Sequence, residues 1–89
     1  MKQIGRTSRF KKDVKLMQKR GKSFTHFKKI IKALAESKPL DERYRDHKLT
    51  GSYASTRECH IQPDWLLIYE ATDDELILIR TGTHADLFG

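Results

Sequence analysis

Apolar residues follow two different periods along this chain, and the change of period divides it. Between residues 9 and 20, Phe10, Val14 and Met17 recur at i, i+4 and i+7, which lines them along one face of a helix. Lys11, Lys12, Lys15, Lys19 and Arg20 fall mainly on the rest of that helix. Ser8 is the expected N-cap, and Gly21 the expected terminator, because a left-handed residue after a helix suits glycine. A second helix is predicted over about 24–37, capped by Ser23 and closed by Pro39. Its stripe is Phe27, Ile30, Ile31 and Leu34, with Lys28, Lys29 and Lys32 off it. The short link at Gly21 and Lys22 makes the two helices antiparallel neighbours.

The second half reads as strands. A polar connector over 40–52 precedes a predicted strand over 53–61, "YASTRECHI". Pro63 and Asp64 form a turn, "WLLIYEA" (65–71) a second strand, "TDDE" (72–75) a hairpin tip and "LILIRT" (76–81) a third strand. A short strand over 2–7 is expected before the helices, and terminal Leu87 and Phe88 are expected to pack back onto the body. The sum is an α+β fold, a single domain over 1–89, in which an N-terminal strand and an αα-hairpin pack on a small antiparallel sheet.

Size and composition narrow the function classes. A chain of 89 residues buries only ~60–65% of the surface its unfolded form exposes, so one small core is all it can build. The longest apolar run, Trp65 to Tyr69, is far short of the ~20 residues of a membrane span. Behind the basic start "MKQIGRTSRFKK" no apolar signal region follows. A single cysteine, Cys59, excludes an intramolecular disulfide and fits a reducing cytoplasm, the expected location. The net charge of +6 is unevenly spread: residues 1–48 hold sixteen of the eighteen Lys and Arg against five acids. Residues 49–89 hold two basic residues against seven acids. This asymmetry points to a polyanionic partner for the first half, either nucleic acid or the ribosome, although an acidic protein segment fits as well.

The polar residues around the strands are in excess of what turns require. His47, His60 and His84 lie at predicted strand ends or in a connector, where separate segments converge, and Asp64 belongs to the same set; His26 sits among helix lysines as an ordinary surface residue. Paired zinc-ligand spacings are absent, and Cys59 and His60, as strand neighbours, point to opposite faces, so no metal or other cofactor is expected. A nucleophilic role for Cys59 has no electropositive helix terminus to support it. General acid–base chemistry on RNA fits better, since a 2′-hydroxyl can attack the neighbouring phosphate given a base, an acid and positive charge. Arg57 and Arg80, the only basic residues after Lys48, suit phosphate contact, with cross-sheet salt bridges to Glu58 or Glu70 as the equal alternative.

Three ordered blocks, "DHKLTG" (46–51), "RECHIQPDWLLIY" (57–69) and "RTGTHADLF" (80–88), closely resemble the signature of the YafQ branch of the RelE/ParE toxin superfamily. The resemblance implies the toxin half of a bacterial type II toxin–antitoxin pair. Such a toxin enters the ribosomal A site, cuts mRNA without metal, and is blocked by a cognate antitoxin protein wrapped on its surface. It also implies a small antiparallel sheet packed by two N-terminal helices. The family's catalytic positions map onto His47, His60, Asp64 and His84, and its near-terminal aromatic onto Phe88, a stacking or positioning residue. His84 is the leading candidate for the acid. Asp64, or a histidine it orients, is the candidate for the base, with His47 and His60 holding phosphate or sharing that role. Trp65 also matches, yet as a core or sheet-edge aromatic. Lys11, Lys12, Lys15, Lys28, Lys29 and Lys32 would contact ribosomal RNA through phosphates. Two rivals share the scaffold: a ParE-type toxin that poisons gyrase by binding, and a non-catalytic ribosome- or RNA-binding module. Neither requires the histidines.

Overall fold

The computed structural model describes residues 1–49 and 56–89, so the start of the strand expected over 53–61 and Gly51 of the first block lie outside the described residues. Strand β1 (Gln3–Arg6) leads into helix α1 (Ser8–Lys19) and helix α2 (Thr25–Ala35). After a single 3-10 turn (Glu42–Tyr44) come β2 (His47–Lys48), β3 (Arg57–Gln62), β4 (Trp65–Ala71), β5 (Glu75–Gly82) and helix α3 (His84–Phe88). The strands form one sheet in the order β1-β5-β4-β3-β2. Four are antiparallel neighbours, of which β3, β4 and β5 were expected and β2 was not, and β1 joins the edge parallel to β5, with Ile4 opposite Leu76 and Arg6 opposite Leu78.

Local chemistry moves several boundaries. Thr7, not Ser8, caps α1: its extended backbone lets Oγ1 accept the Phe10 N–H at 3.0 Å. Ser23 does not cap α2, which starts after Phe24 without a side-chain cap; the Ser23 hydroxyl instead lies 3.3 Å from Thr25 Oγ1. Nor does Pro39 end that helix. The chain turns earlier, where Ser37 takes a positive φ of 58° and the Lys38 N–H reaches back to Ala33 O. The connector is not structureless either, since it holds the 3-10 turn and β2.

The sheet separates two clusters. Side chains alternate along a strand, so Cys59 and Ile61 of β3 and Leu67 and Tyr69 of β4 face one way with Leu76 and Leu78 of β5. There they meet Phe10 and Met17 of α1 and Phe27, Ile30 and Leu34 of α2. Phe27 stacks on both Phe10 (6.0 Å) and the fully buried Trp65 (5.5 Å), whose indole N–H donates to Thr81 Oγ1 at 2.8 Å. Trp65 is therefore a core residue. On the opposite face Leu66 and Ile68 pack with Leu87 under partial cover from Leu49 and Ile79.

Beyond the end of β1, the edge of β5 is closed by α1 rather than by a strand. Thr7 donates to Leu78 O through its N–H and to Ile79 O through its hydroxyl, and buried Asp13 accepts the Thr81 N–H at 3.2 Å. Among the described residues, no helix is long and apolar enough to cross a membrane.

Candidate active site

The face carrying Leu66 and Ile68 also carries the polar cluster. Register places Glu58 opposite both His47 of β2 and Ile68 of β4, while His60 stands opposite Leu66, and Leu66 opposite Gly82. Two residues past Gly82, α3 begins with His84. The resulting row of rings is continuous: His47 to His60 is 6.3 Å between centroids, His60 to His84 is 5.7 Å, and His84 to Phe88 is 6.4 Å. The three histidines, Asp64 and Phe88 are thus brought together from β2, β3, the β3–β4 turn and α3.

Each histidine is oriented by a specific acceptor. His84 meets Asp64 twice, through ring Nδ1 at 2.7 Å and through its backbone N–H at 3.0 Å, both on Oδ1. The backbone donor first, and the ring second, hold the Asp64 carboxyl below the usual carboxylate range. With Nδ1 so engaged, Nε2 is the ring nitrogen of His84 that Asp64 leaves for another partner. His47 Nδ1 lies 2.6 Å from Arg45 O, made possible by the left-handed conformation of Arg45 (φ 48°). His60 Nε2 sits 3.1 Å from Glu58 Oε1, and His47 Nε2 is 3.8 Å from the same oxygen. Glu58 is only 5% exposed, whereas the side chains of His47, Asp64 and His84 are at least half exposed. The arrangement is a buried carboxylate beneath a partly open row of imidazoles.

Helix α3 is fastened so that His84 and Phe88 keep their places. Thr83 and Asp86 form a reciprocal capping box, and Arg20 at the end of α1 grips Asp86 through two bonds of 2.6 and 3.1 Å. That guanidinium first, and the Thr83 N–H second, hold the Asp86 carboxyl far below its ordinary range. A Cβ at Gly82 would come within 3.0 Å of Asp86, so the close return of α3 over β5 requires glycine there. Leu87 packs inward as expected. Phe88 does not, and is 50% exposed at the outer end of the histidine row.

The two arginines are engaged, although not with the glutamates named from sequence. Arg57 alternates with Glu58 and faces the helices, where its Nε donates to Asp46 at 3.1 Å beside the Tyr69 hydroxyl. Arg80 shares the Glu58–Ile68 row on the cluster's face, and Asp13 accepts from its guanidinium at 2.9 and 3.1 Å. The reason is local: Asp46 and Asp13 are presented by β2's flank and by α1 alongside each guanidinium, whereas Glu58 turns to the histidines. The lysines of α1 and α2 lie on helices that pack on the other face of the sheet from the cluster. Cys59 faces the helix-side core, where burial pushes its thiol up to about 12.

Glu58 is the member of the polar cluster that sequence reasoning did not place in it. A signal was present, because residues 58 and 60 of one strand must share a face.

A family model for a bacterial toxin of type II toxin–antitoxin systems, YafQ, matches residues 2–89. The chain is 46% identical over 84 residues to the mRNA interferase toxin YafQ of Escherichia coli, spanning 93% of this chain and 91% of that one. It superposes with a TM-score of 0.92 on a solved E. coli DinJ–YafQ complex, at 44% identity and full coverage of both chains. It superposes equally well, 0.92 at 38% identity, on a metal-bound toxin from Helicobacter pylori, covering 99% of this chain and 100% of that one. With the family model matched over nearly the whole chain and 46% identity to a curated member, the chain belongs to the YafQ family of bacterial toxins of type II toxin–antitoxin systems.

Proposed function

We propose that this single-domain toxin is an mRNA interferase of the cytoplasm, cutting mRNA on the ribosome by acid–base catalysis through 2′-hydroxyl attack. The observation that carries the reading is the row His47–His60–His84 with Glu58 against His60 and Asp64 against His84. Cleavage requires removal of the 2′-hydroxyl proton, a proton for the departing 5′-oxygen, and charge against the crowded phosphate. His84, fixed by Asp64 with Nε2 outward, serves as the acid. His60 on Glu58 takes the hydroxyl proton, and His47 faces a phosphate oxygen. Phe88, exposed beside His84, offers a surface on which a base stacks. Arg57 acts indirectly by tying down Asp46 next to His47, and Arg80 stands in the Glu58 row across Ile68.

The ribosome supplies what this open cluster lacks, namely alignment of the RNA for in-line attack. The lysines of α1 and α2 contact ribosomal RNA. A cognate antitoxin, such as E. coli YafQ has in DinJ, docks on the helical side. There an open groove of about 710 Å³ runs past Ile4, Phe10, Val14, Phe24 and Ile31 with lysines at its rim, suited to an apolar helix bearing acids.

Primer extension on a defined mRNA in a translating bacterial extract tests the proposal. Wild-type protein is expected to give breaks at discrete codons that disappear with His84→Ala. If translation stops without breaks, or His84→Ala cuts as well as wild type, the catalytic reading fails and a binding toxin takes its place.

A further inference from the structure

Beside the histidine row lies a cavity of about 340 Å³ that proton transfer does not use. Arg43, Tyr44 and Arg45, from the 3-10 turn and its cap, form one wall, and Gln62 and Pro63 at the end of β3 form the other. His60 belongs to both the cavity and the row, whereas neither His84 nor Phe88 lines the cavity. Ligand pockets run from ~300 to 1,000 Å³, so this one has room for a single base rather than a longer segment.

Both walls are built rather than incidental. Asp41 caps the turn by accepting the Arg43 N–H at 3.0 Å, and the Arg45 N–H donates to Glu42 O at 3.0 Å. The left-handed backbone of Arg45 (φ 48°) turns its carbonyl to His47 Nδ1, so one residue both sets a histidine and lines the cavity. The Arg43 guanidinium lies 4.9 Å over the Tyr44 ring and donates to its hydroxyl at 3.0 Å. Among the described residues, neither Arg43 nor Arg45 pairs with an acid, and the neighbouring Asp46 is taken by Arg57 and Tyr69. On the other wall, the pairing of β3 with β4 shifts register between His60 and Gln62. Such irregularities re-aim side chains next to sites, and the Gln62 amide can both donate and accept.

We propose that this cavity is a nucleotide subsite that takes the base on the 5′ side of the cut, with Arg43 and Arg45 on its 5′-phosphate and Gln62 reading its edge. The choice of side rests on the nuclease reading above. His60 takes the 2′-hydroxyl proton of the 5′ nucleotide, while His84 and Phe88 attend the departing 3′ nucleotide. Proteins read single-stranded RNA by splaying out a base, stacking it on an aromatic or guanidinium plane and bonding its edge. Tyr44 and Arg43 supply the planes, Pro63 an apolar contact and Gln62 the edge reader. Selection of the cut site then lies partly in the toxin itself.

Two measurements test this. In the extract, primer extension compares mRNAs that differ at the nucleotide before the break. Wild type is expected to favour one base there by about 5–150-fold, the range of one bidentate base contact, and Gln62→Ala to erase the preference. Arg45→Asn and Arg43→Gln are expected to lower cleavage of every mRNA about tenfold with the preference kept, as phosphate contacts carry no sequence information. Asparagine tolerates a left-handed backbone, so His47 keeps its acceptor, and Arg43→Gln leaves that backbone untouched. Separately, free protein is titrated with the four nucleoside 5′-monophosphates and followed by amide NMR shifts. Saturable shifts are expected at residues 43–45 and 62, and their loss in Arg45→Asn. Breaks without base preference, or a preference unchanged in Gln62→Ala, overturn the reading role of Gln62. Absence of saturable shifts at residues 43–45 overturns the subsite. If wild type makes no breaks the nuclease reading falls, and the shifts alone decide whether the cavity holds a nucleotide.

Discussion

Replacing Asp13 with alanine tests how the fold holds Arg80. Asp13 is 8% exposed and accepts three hydrogen bonds, two from the Arg80 guanidinium and one from the Thr81 N–H. The Arg80 side chain is itself only 13% exposed. Removing one member of a buried ion pair typically costs ~3–5 kcal/mol, because the remaining charge keeps its desolvation and loses its compensation. A chain of this length has a total stability of about 4–13 kcal/mol. Asp13→Ala therefore removes about a quarter or more of it, and the melting temperature falls by roughly 12–40 °C at about 4–8 °C per kcal/mol. Asp13→Asn keeps an acceptor but not the charge, and is expected to cost about 1.5–3 kcal/mol. The double variant Asp13→Leu with Arg80→Met removes both charges, and is expected within ~1–2 kcal/mol of wild type. Urea and thermal unfolding followed by circular dichroism give all four values. A loss under ~1 kcal/mol for Asp13→Ala would refute the reasoning, since it would mean that Arg80 reaches water as easily as it reaches Asp13. The folded double variant then shows whether Arg80 also holds phosphate. A drop in cleavage beyond tenfold at unchanged stability assigns it that second role.

Asp64→Asn is expected to lower cleavage by about ten- to a hundredfold without altering the far-ultraviolet spectrum, because it removes the acceptor that sets the His84 ring; primer extension checks it. Asp86 is held below its unfolded range by Arg20, so its stabilisation is fully present above about pH 4 and is lost as pH falls through the lower folded value. Acid titration of unfolding free energy is expected to be flatter for Asp86→Asn below that pH, and an identical slope would exclude this anchor. Cys59, buried with its thiol raised to about 12, is expected to resist iodoacetamide at pH 8 in the native protein and to react fully once unfolded, as mass spectrometry would show.

The helical stripes were legible because their period is local: Phe10, Met17, Phe27, Ile30 and Leu34 are all buried as predicted. The strands of β4 and β5 announced themselves by apolar runs around the "TDDE" tip. What escaped was non-local or too short for a period. Two residues of β2 inside a polar stretch show no alternation, and their pairing depends on the left-handed Arg45. The parallel pairing of β1 with β5 joins residues some seventy positions apart, which no local pattern encodes. At the site, His47, His60, His84 and Asp64 stood out by their placement at predicted strand ends and turns, whereas Phe88 was named only through the family's motif blocks. Glu58 and Asp13 carried readable signals that were not followed. Asp13 lies on the same helical face as Phe10 and Met17, where an acid must find a buried partner, and Glu58 lies two positions from His60.

The sheet itself decides how the two chemistries of this chain relate. Its helix-side face is filled by Trp65, Tyr69 and the apolar stripes of α1 and α2, leaving no room for polar groups except at the edges. Among the described residues, the other face holds a small apolar patch, Leu66, Ile68 and Leu87 with Leu49 and Ile79 beside them, which leaves room there for a buried carboxylate with open imidazoles above it. The lysines of α1 and α2 and the clustered His47, His60 and His84 therefore belong to opposite faces of the sheet. One short RNA strand lying in the cluster would not also run along α1 and α2. A partner that surrounds the toxin would reach both, which is the situation of a protein inserted into the ribosome. The two sets then separate kinetically: lysine substitutions on α1 and α2 weaken ribosome engagement and its salt dependence, whereas substitutions at His60 or His84 abolish the break after engagement has occurred. Loss of bound toxin from ribosomes on changing His84, with Lys28 and Lys29 intact, would contradict that division of labour.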